Sequence, residues 1–474
     1  MPTFTVVNMI PRTLSGETNQ DSEPNLAVNP SNLLQMAGSA FTPNPAGAGD
    51  APIYVSTDGG NTWSLQAIVP SDQMTADISL RFGGNGTLYA GTIPTPFQRD
   101  ANGNEIATLN ILRTNDVLSG AVMNVLVSRT GTSGVDQPYI QAASVGGSDI
   151  VFCGNNDFNN SPQTASMDFS GNGAGPVSSF QTMVVDLRAG NGDAPSIRPT
   201  IHSDGTVYGA FLSSVGGTSV TTLVYDVVVV RDDAFAVHPP AFAALTDPSD
   251  GNAGRIVAAN RLIPFINHRF LGQERIGSTL SITVDPRAGS SGTLYLAWAD
   301  RVGSDDYTIH VQRSDDRGVS WTADLLTVTN GTNPALAVNN SGTVAIVYQQ
   351  LTGIFKPGKV SAANRWQTHF RLSTDSGATW TDQLLSSTPA NQPSNLLPDG
   401  REALPYLGDY LHLMAVDTTF YGIFSANNTP NPANFPAGIT FQRNVDLTQH
   451  LLLDVDGTTH VDVSIDPFFF KVVP

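Results

Sequence analysis

One eight-residue pattern occurs three times in this chain of 474 residues: Ser56-Thr57-Asp58-Gly59-Gly60-Asn61-Thr62-Trp63, Ser314-Asp315-Asp316-Arg317-Gly318-Val319-Ser320-Trp321 and Ser373-Thr374-Asp375-Ser376-Gly377-Ala378-Thr379-Trp380. The shared form is S-x-D-x-G-x-[ST]-W. It has the chemistry of a hairpin corner. The Asp folds back on nearby backbone N–H groups, and the Gly supplies the positive φ that closes the turn. The Trp opens the next strand with a large apolar body to bury. At this length the repeat favours one large repeat architecture over several ordinary domains.

A second repeat lies between the corners. A strand ends in an Asp or Asn, a tight turn follows, and a Gly-Thr pair leads into apolar and tyrosine residues. Examples are Ile282–Asp285 leading to Gly292–Trp298, Leu336–Asn339 leading to Gly342–Tyr348, and Thr200–His202 leading to Gly205–Tyr208. The Asn-Gly, Asp-Gly and Ser-Gly turns suit short hairpins. Apolar residues on both faces of these strands predict burial on both sides. Counted along the chain, the units fall at about 23–70, 76–130, 136–187, 193–247, 278–329, 333–388 and 406–473. Worn corners stand at Arg113-Thr114-Asn115-Asp116 and Arg231-Asp232-Asp233. Seven units of this size predict a single all-β domain, a seven-bladed propeller of four-stranded antiparallel blades, with six blades as the alternative count. The strand Phe4–Met9 is expected to close the ring beside C-terminal strands. Residues 248–277 and 388–405 exceed the repeat and are expected as inserted loops.

The corner pattern resembles the Asp-box, or BNR repeat, of sialidases and other β-propellers. The resemblance implies that its residues (Ser56, Asp58, Gly60, Trp63; Ser314, Asp316, Gly318, Trp321; Ser373, Asp375, Gly377, Trp380) are structural and lie on the outer edges of blades. In sialidases an arginine triad clamps the substrate carboxylate, a Glu-activated Tyr attacks and an Asp serves as acid/base. Here the order around Arg12 is Ile-Pro-Arg, and no matching acidic segment follows before Ser56. The Arg198 stretch, Ser-Ile-Arg-Pro, falls on the fourth unit. No catalytic set carries over. With Glu23–Pro30, Gln273–Ile276 and Gly408-Asp409-Tyr410, the chain resembles bacterial BNR-repeat proteins more than true sialidases.

Composition narrows the function classes. Net charge is −18, which argues against nucleic-acid binding. The acids are 36 Asp against five Glu, which together with 44 Gly and 31 Pro mark turns and not helices. There is no apolar run of membrane-spanning length. Cys153, alone in its kind, excludes an intrachain disulfide and reads as a buried small side chain. Met1–Arg12 reads as a strand and not a signal peptide, although a protein of this type is expected outside the cell.

Candidate site residues cluster in the two long loops and just after them. Arg255, Arg261, Arg269 and Arg275 stand together in an acidic chain, and with Arg198 and Arg401 they are the candidates for gripping an anionic group. Glu274, Glu402, Tyr406 and Asp409 are the catalytic candidates, and Trp366 is the candidate aromatic platform. No metal site is expected. The loop Asp100–Glu105 opens like a calcium loop, but its Gly is at position 4 and Ile111 holds position 12. It reads as a solvated turn, and no cofactor is expected. The resulting expectation is a recognition propeller binding glycan or protein through channel-mouth loops. The alternatives are a sialidase-like hydrolase or lyase, and a structural or cargo subunit of an extracellular or injection-type assembly. Sequence leaves the oligomeric state open.

Overall fold

Short strands between Gly, Asp and Asn turns assemble into radial sheets. The computed structural model describes residues 2–47, 49–72, 74–100, 102–175, 180–188, 197–217, 219, 222–233, 242–264, 279–302, 306–352, 363–393, 395–396, 402–403 and 405–474. Apart from short 3₁₀ turns, the described residues form strands and loops. Six sheets have four antiparallel strands. From the inside outward, the first is Asn25–Val28, Met36–Ser39, Asp50–Ser56 and Ser64–Asp72. The inner strands of the next five are Thr75–Phe82, Val135–Val145, Arg198–Ile201, Leu280–Val284 and Gly331–Val338. A seventh sheet has His412–Val416 innermost. Each inner strand touches the inner strand of the sheets on either side, and the seventh touches the first, so the ring is closed. This is a β-propeller with a central channel walled by inner strands.

The seventh sheet joins the two ends of the chain. Its third strand, Ile465–Val473, pairs antiparallel with Thr3–Asn8, register Phe4 to Val472 and Val6 to Phe470. Thr440–Phe441 adds a fifth strand beside Val7 and Asn8. His460–Val461 belongs to a separate small sheet with Val445–Asp446 and Leu451–Leu453.

The core lies between sheets. One cluster joins Ile309 and Val311 of the fifth sheet to Ile346, Tyr348 and Trp366 of the sixth. Another joins Phe370 of the sixth to Phe420, Phe468 and Phe470 of the seventh. Each such side chain contributes about 1.5–3 kcal/mol by leaving water. Inter-sheet burial is why the strands are apolar on both faces.

The three S-x-D-x-G-x-[ST]-W segments each link the third strand of a sheet to its outer edge, and all three fold alike. Asp316 Oδ1 accepts from the Ser314 hydroxyl at 2.9 Å and the Ser320 N–H at 2.8 Å, and Oδ2 accepts from the Ser320 hydroxyl at 2.5 Å. Asp58 and Asp375 make the same contacts with Ser56 and Thr62, and with Ser373 and Thr379. Gly60, Gly318 and Gly377 have φ of +89°, +84° and +93°. The indole N–H of Trp63 and of Trp321 donates back to the carbonyl of Gly60 or Gly318.

One expected loop is partly a strand. Within 248–277, Arg255–Leu262 is the outermost strand of the fourth sheet. Its pairing with Val224–Asp232 breaks register twice, and Asn260 has φ +54°. Those irregularities erase the two-residue alternation that would have marked it.

Candidate functional site

Inner strands in a propeller run in one direction, so their first residues gather at one mouth of the channel. Here that mouth has unusual backbone. Glu23, Gln137 and Asn333, which enter the first, third and sixth sheets, have φ of +56°, +53° and +53° without being glycine. The pairing of the second, third and sixth inner strands slips close to the same level. Left-handed backbone at a side-chain-bearing residue costs energy, and it is held where the surroundings over-determine it.

The segment Tyr406–Asp409 is fastened across this mouth. Gln20 donates to the Tyr406 carbonyl at 2.9 Å, and Asn333 donates to the Gly408 carbonyl at 2.9 Å. The Thr279 hydroxyl donates to the Asp409 carbonyl. Gly408, at φ +101°, rests so closely on Glu23 that a Cβ there would lie 2.4 Å from the Glu23 nitrogen. The result brings together groups far apart in sequence. The Tyr406 hydroxyl lies between two carboxylates, bonded to Glu23 Oε1 and, at 2.6 Å, to Asp409 Oδ1. Two hydrogen bonds to one oxygen keep those carboxylate oxygens within about 5.5 Å of each other. Glu23 and Asp409 are only 2% and 3% exposed.

Charge at this point is crowded. Burial, and then the Asp409 and Asp77 carboxylates, push the Glu23 carboxyl well above its usual range. Glu23 therefore tends to keep its proton, which makes it a donor. Arg198, 4% exposed, lies with its guanidinium 4.3 Å from the centre of the Tyr139 ring. Burial lowers its pKa, and Tyr139, Tyr410, Asp77 and Asp409 oppose that effect. A water-sized cavity of about 10 Å³ separates Arg198 from Asp77, Gln137, Asp409 and Tyr410. Beside it a wider cleft of about 360 Å³ is bounded by Glu23, Asp77, Asp136 and Glu105, with Phe41 and Phe97 as aromatic walls.

The sequence candidates separate clearly. Tyr406, Asp409 and Arg198 come together. Arg255 and Arg261 do not, because they lie on the outermost strand of the fourth sheet. Arg255 donates to the Val319 carbonyl at 2.7 Å, and Arg261 pairs with Asp300 at 2.5 Å. Both arginines pin the fourth sheet to the fifth. Trp366, 3% exposed, is part of the core between the fifth and sixth sheets and offers no platform. Arg269, Glu274, Arg275 and Arg401 lie outside the described residues, as does the side chain of Glu402. Glu23, Asp77 and Asp136 were not foreseen. The available signal was the rarity of Glu: Glu23 is one of five, placed directly before a strand. Among the described residues no group of three His, Cys, Asp or Glu is arranged to hold a metal. Asp100 accepts from the Asn102 and Asn104 backbone, as a turn residue does. Among the described residues no helix is long and apolar enough to cross a membrane.

No protein-family model and no curated protein matches the sequence. Among solved structures, the chain is similar to the GH93 α-L-arabinofuranosidase of Fusarium graminearum, at 11% identity over 98% of this chain and 97% of that one, TM-score 0.42. It is also similar to AofleA from Arthrobotrys oligospora, at 12% identity over 82% and 90%, TM-score 0.40. A third is the GH74 xyloglucanase of Xanthomonas campestris, at 12% identity over 88% and 78%, TM-score 0.34.

Proposed function

We propose that this seven-bladed propeller recognises a neutral, hydroxyl-rich glycan at the mouth formed by Glu23, Asp77, Asp136 and Tyr406. The observation that carries this reading is the lining of the 360 Å³ cleft, which pairs four carboxyl groups, Glu23 protonated among them, with two phenylalanine walls. Carboxylates accept hydrogen bonds from adjacent sugar hydroxyls, and an aromatic face packs on the apolar face of a sugar ring. The four acids of the cleft disfavour an anionic sugar. Arg198 is buried beneath the carboxylates, and Arg255 and Arg261 are engaged at the outer rim. A glycan microarray with neutral and sialylated ligands tests the reading. Binding is expected to neutral glycans and to weaken in Phe97→Ala. Binding confined to sialylated glycans would sink it.

A second reading, glycoside hydrolysis, is favoured by Tyr406 and its two carboxylates. Glu23 is placed to give a proton to a leaving oxygen. Asp409, on the other side of the Tyr406 hydroxyl, holds that hydroxyl in place beside Glu23. The two carboxyl groups lie closer than an inverting enzyme needs to seat a water between them and the sugar. On this reading a panel of chromogenic neutral glycosides gives turnover, and Glu23→Gln lowers kcat by at least about a hundredfold with little change in KM. A panel turned over equally by wild type and Glu23→Gln would remove hydrolysis at this site and leave recognition standing.

A further inference from the structure

Deeper in the channel, past Arg198, the charge reverses. Arg81 is on the inner strand of the second sheet, and its hydrogen-bonding partner is the Met414 sulfur at 3.7 Å, a weak acceptor. Among the described residues Arg81 makes no ion pair with a carboxylate. His412, on the inner strand of the seventh sheet, is 4% exposed, and among the described residues its Nδ1 has no hydrogen-bond partner. Its ring lies against Tyr139, centroids 6.4 Å apart. Arg81, His412 and Tyr139 line one cavity of about 250 Å³ that also reaches Gln141, Thr200 and Thr283 on the third, fourth and fifth sheets. A further cavity of about 380 Å³ shares Arg81 and Met414 and reaches Asp417, the one acid on the described lining of the two.

A cation without an acid and a buried imidazole nitrogen without a partner both cost free energy as they stand. Arg81 and the His412 ring line the same cavity. A guanidinium offers a planar fork of N–H groups, and a neutral imidazole adds one N–H donor. We infer that the channel holds a small oxyanion, a carboxylate, phosphate or sulfate group, between Arg81 and His412. The electrostatics agree with this geometry. Burial, and then Arg81 and Arg198, drive His412 down to about 3, so it stays neutral and the charge that the anion meets is that of the arginines. Burial also lowers the Arg81 pKa. This site is separate from the glycan mouth, and its occupant does not depend on the proposal made there.

The test is calorimetric titration of the full chain with acetate, inorganic phosphate and sulfate in a low-chloride buffer. At least one of the three should give a saturable one-to-one isotherm. Arg81→Met, which keeps the stem and removes the charge, should weaken that isotherm about tenfold or more. His412→Phe keeps the ring against Tyr139 and loses the imidazole N–H. It should weaken binding less, and it serves as the reporter if Arg81→Met fails to fold by circular dichroism. The three titrations separate a planar carboxylate from a tetrahedral anion. No isotherm with any of them, or an isotherm unchanged in the folded variants, would overturn the site.

Discussion

At the residue scale, the corners show how much one turn can specify. Each Asp has both oxygens engaged by groups within its own corner. Each Gly combines left-handed backbone with close packing. A Cβ on Gly60 would come within 2.2 Å of the Phe469 ring. Gly60→Ala is therefore expected to destabilise by about 2–3 kcal/mol in urea unfolding, from backbone strain and overpacking together. A loss below about 0.5 kcal/mol would mean that the corner is not held as described. The same corners set a pH dependence. Hydrogen bonds from the Thr379 side chain and backbone and from Ser373 hold Asp375 at about 2. A carboxyl with a lowered folded pKa adds stability that is complete above its unfolded pKa, near 4, and is lost as pH falls toward 2. Thermal melts between pH 4 and 2 should fall less steeply in Asp375→Asn than in wild type. The corner aspartates were readable because their hydroxyl and N–H partners lie within four positions. The mouth was not: Tyr406 meets Glu23 across 383 positions, and no local pattern records that distance.

At the scale of elements, the ring depends on its closure. The pairing of Thr3–Asn8 with Ile465–Val473 is secured by a buried group beneath it. Arg443 pairs with Asp466 at 2.9 Å and donates to the carbonyls of Ser15 and Glu17. Asp466 also accepts from Asn8 and Asn428, each at 2.7 Å. Arg443→Met leaves Asp466 buried without its cation and should cost about 3–5 kcal/mol, read as a lowered urea midpoint. Glu17 makes this closure sensitive to pH in the opposite sense to the corners. Burial and the Asp466 charge, opposed by Arg443, raise it from 4.5 to about 7. A carboxyl with a raised folded pKa gives stability that is full below about 4.5 and lost as pH rises to 7. Glu17→Gln should therefore reduce the fall in melting temperature between pH 4.5 and 7, and an unchanged slope would refute the assignment. The closing strand was legible as an apolar run at the N-terminus. Arg255–Leu262 was not, because its register breaks destroyed the alternation on which a strand is recognised.

At the scale of the molecule, fold and site were legible to different degrees for one physical reason. The fold is a sum of local units, so turns and apolar strands repeated along the chain reveal the ring. The site exists only after the ring has closed, when the starts of inner strands from several sheets meet. Tyr406, Asp409 and Arg198 were recognisable as chemistry-bearing residues, but their neighbours Glu23, Asp77 and Asp136 could be assigned only from three dimensions. The arginine-rich segment drew attention by composition, yet its described members, Arg255 and Arg261, tie the fourth sheet to the fifth at the rim. The acidic, aromatic mouth is the proposed binding place of a neutral glycan. The most direct measurement is binding of neutral and sialylated glycans to wild type, Phe97→Ala and Asp77→Asn on one array. The predicted result is neutral glycan binding by wild type that falls about tenfold or more in both variants, as loss of a packed aromatic or a charge-assisted hydrogen bond requires. Equal binding by all three proteins, or binding of sialylated glycans alone, would contradict it.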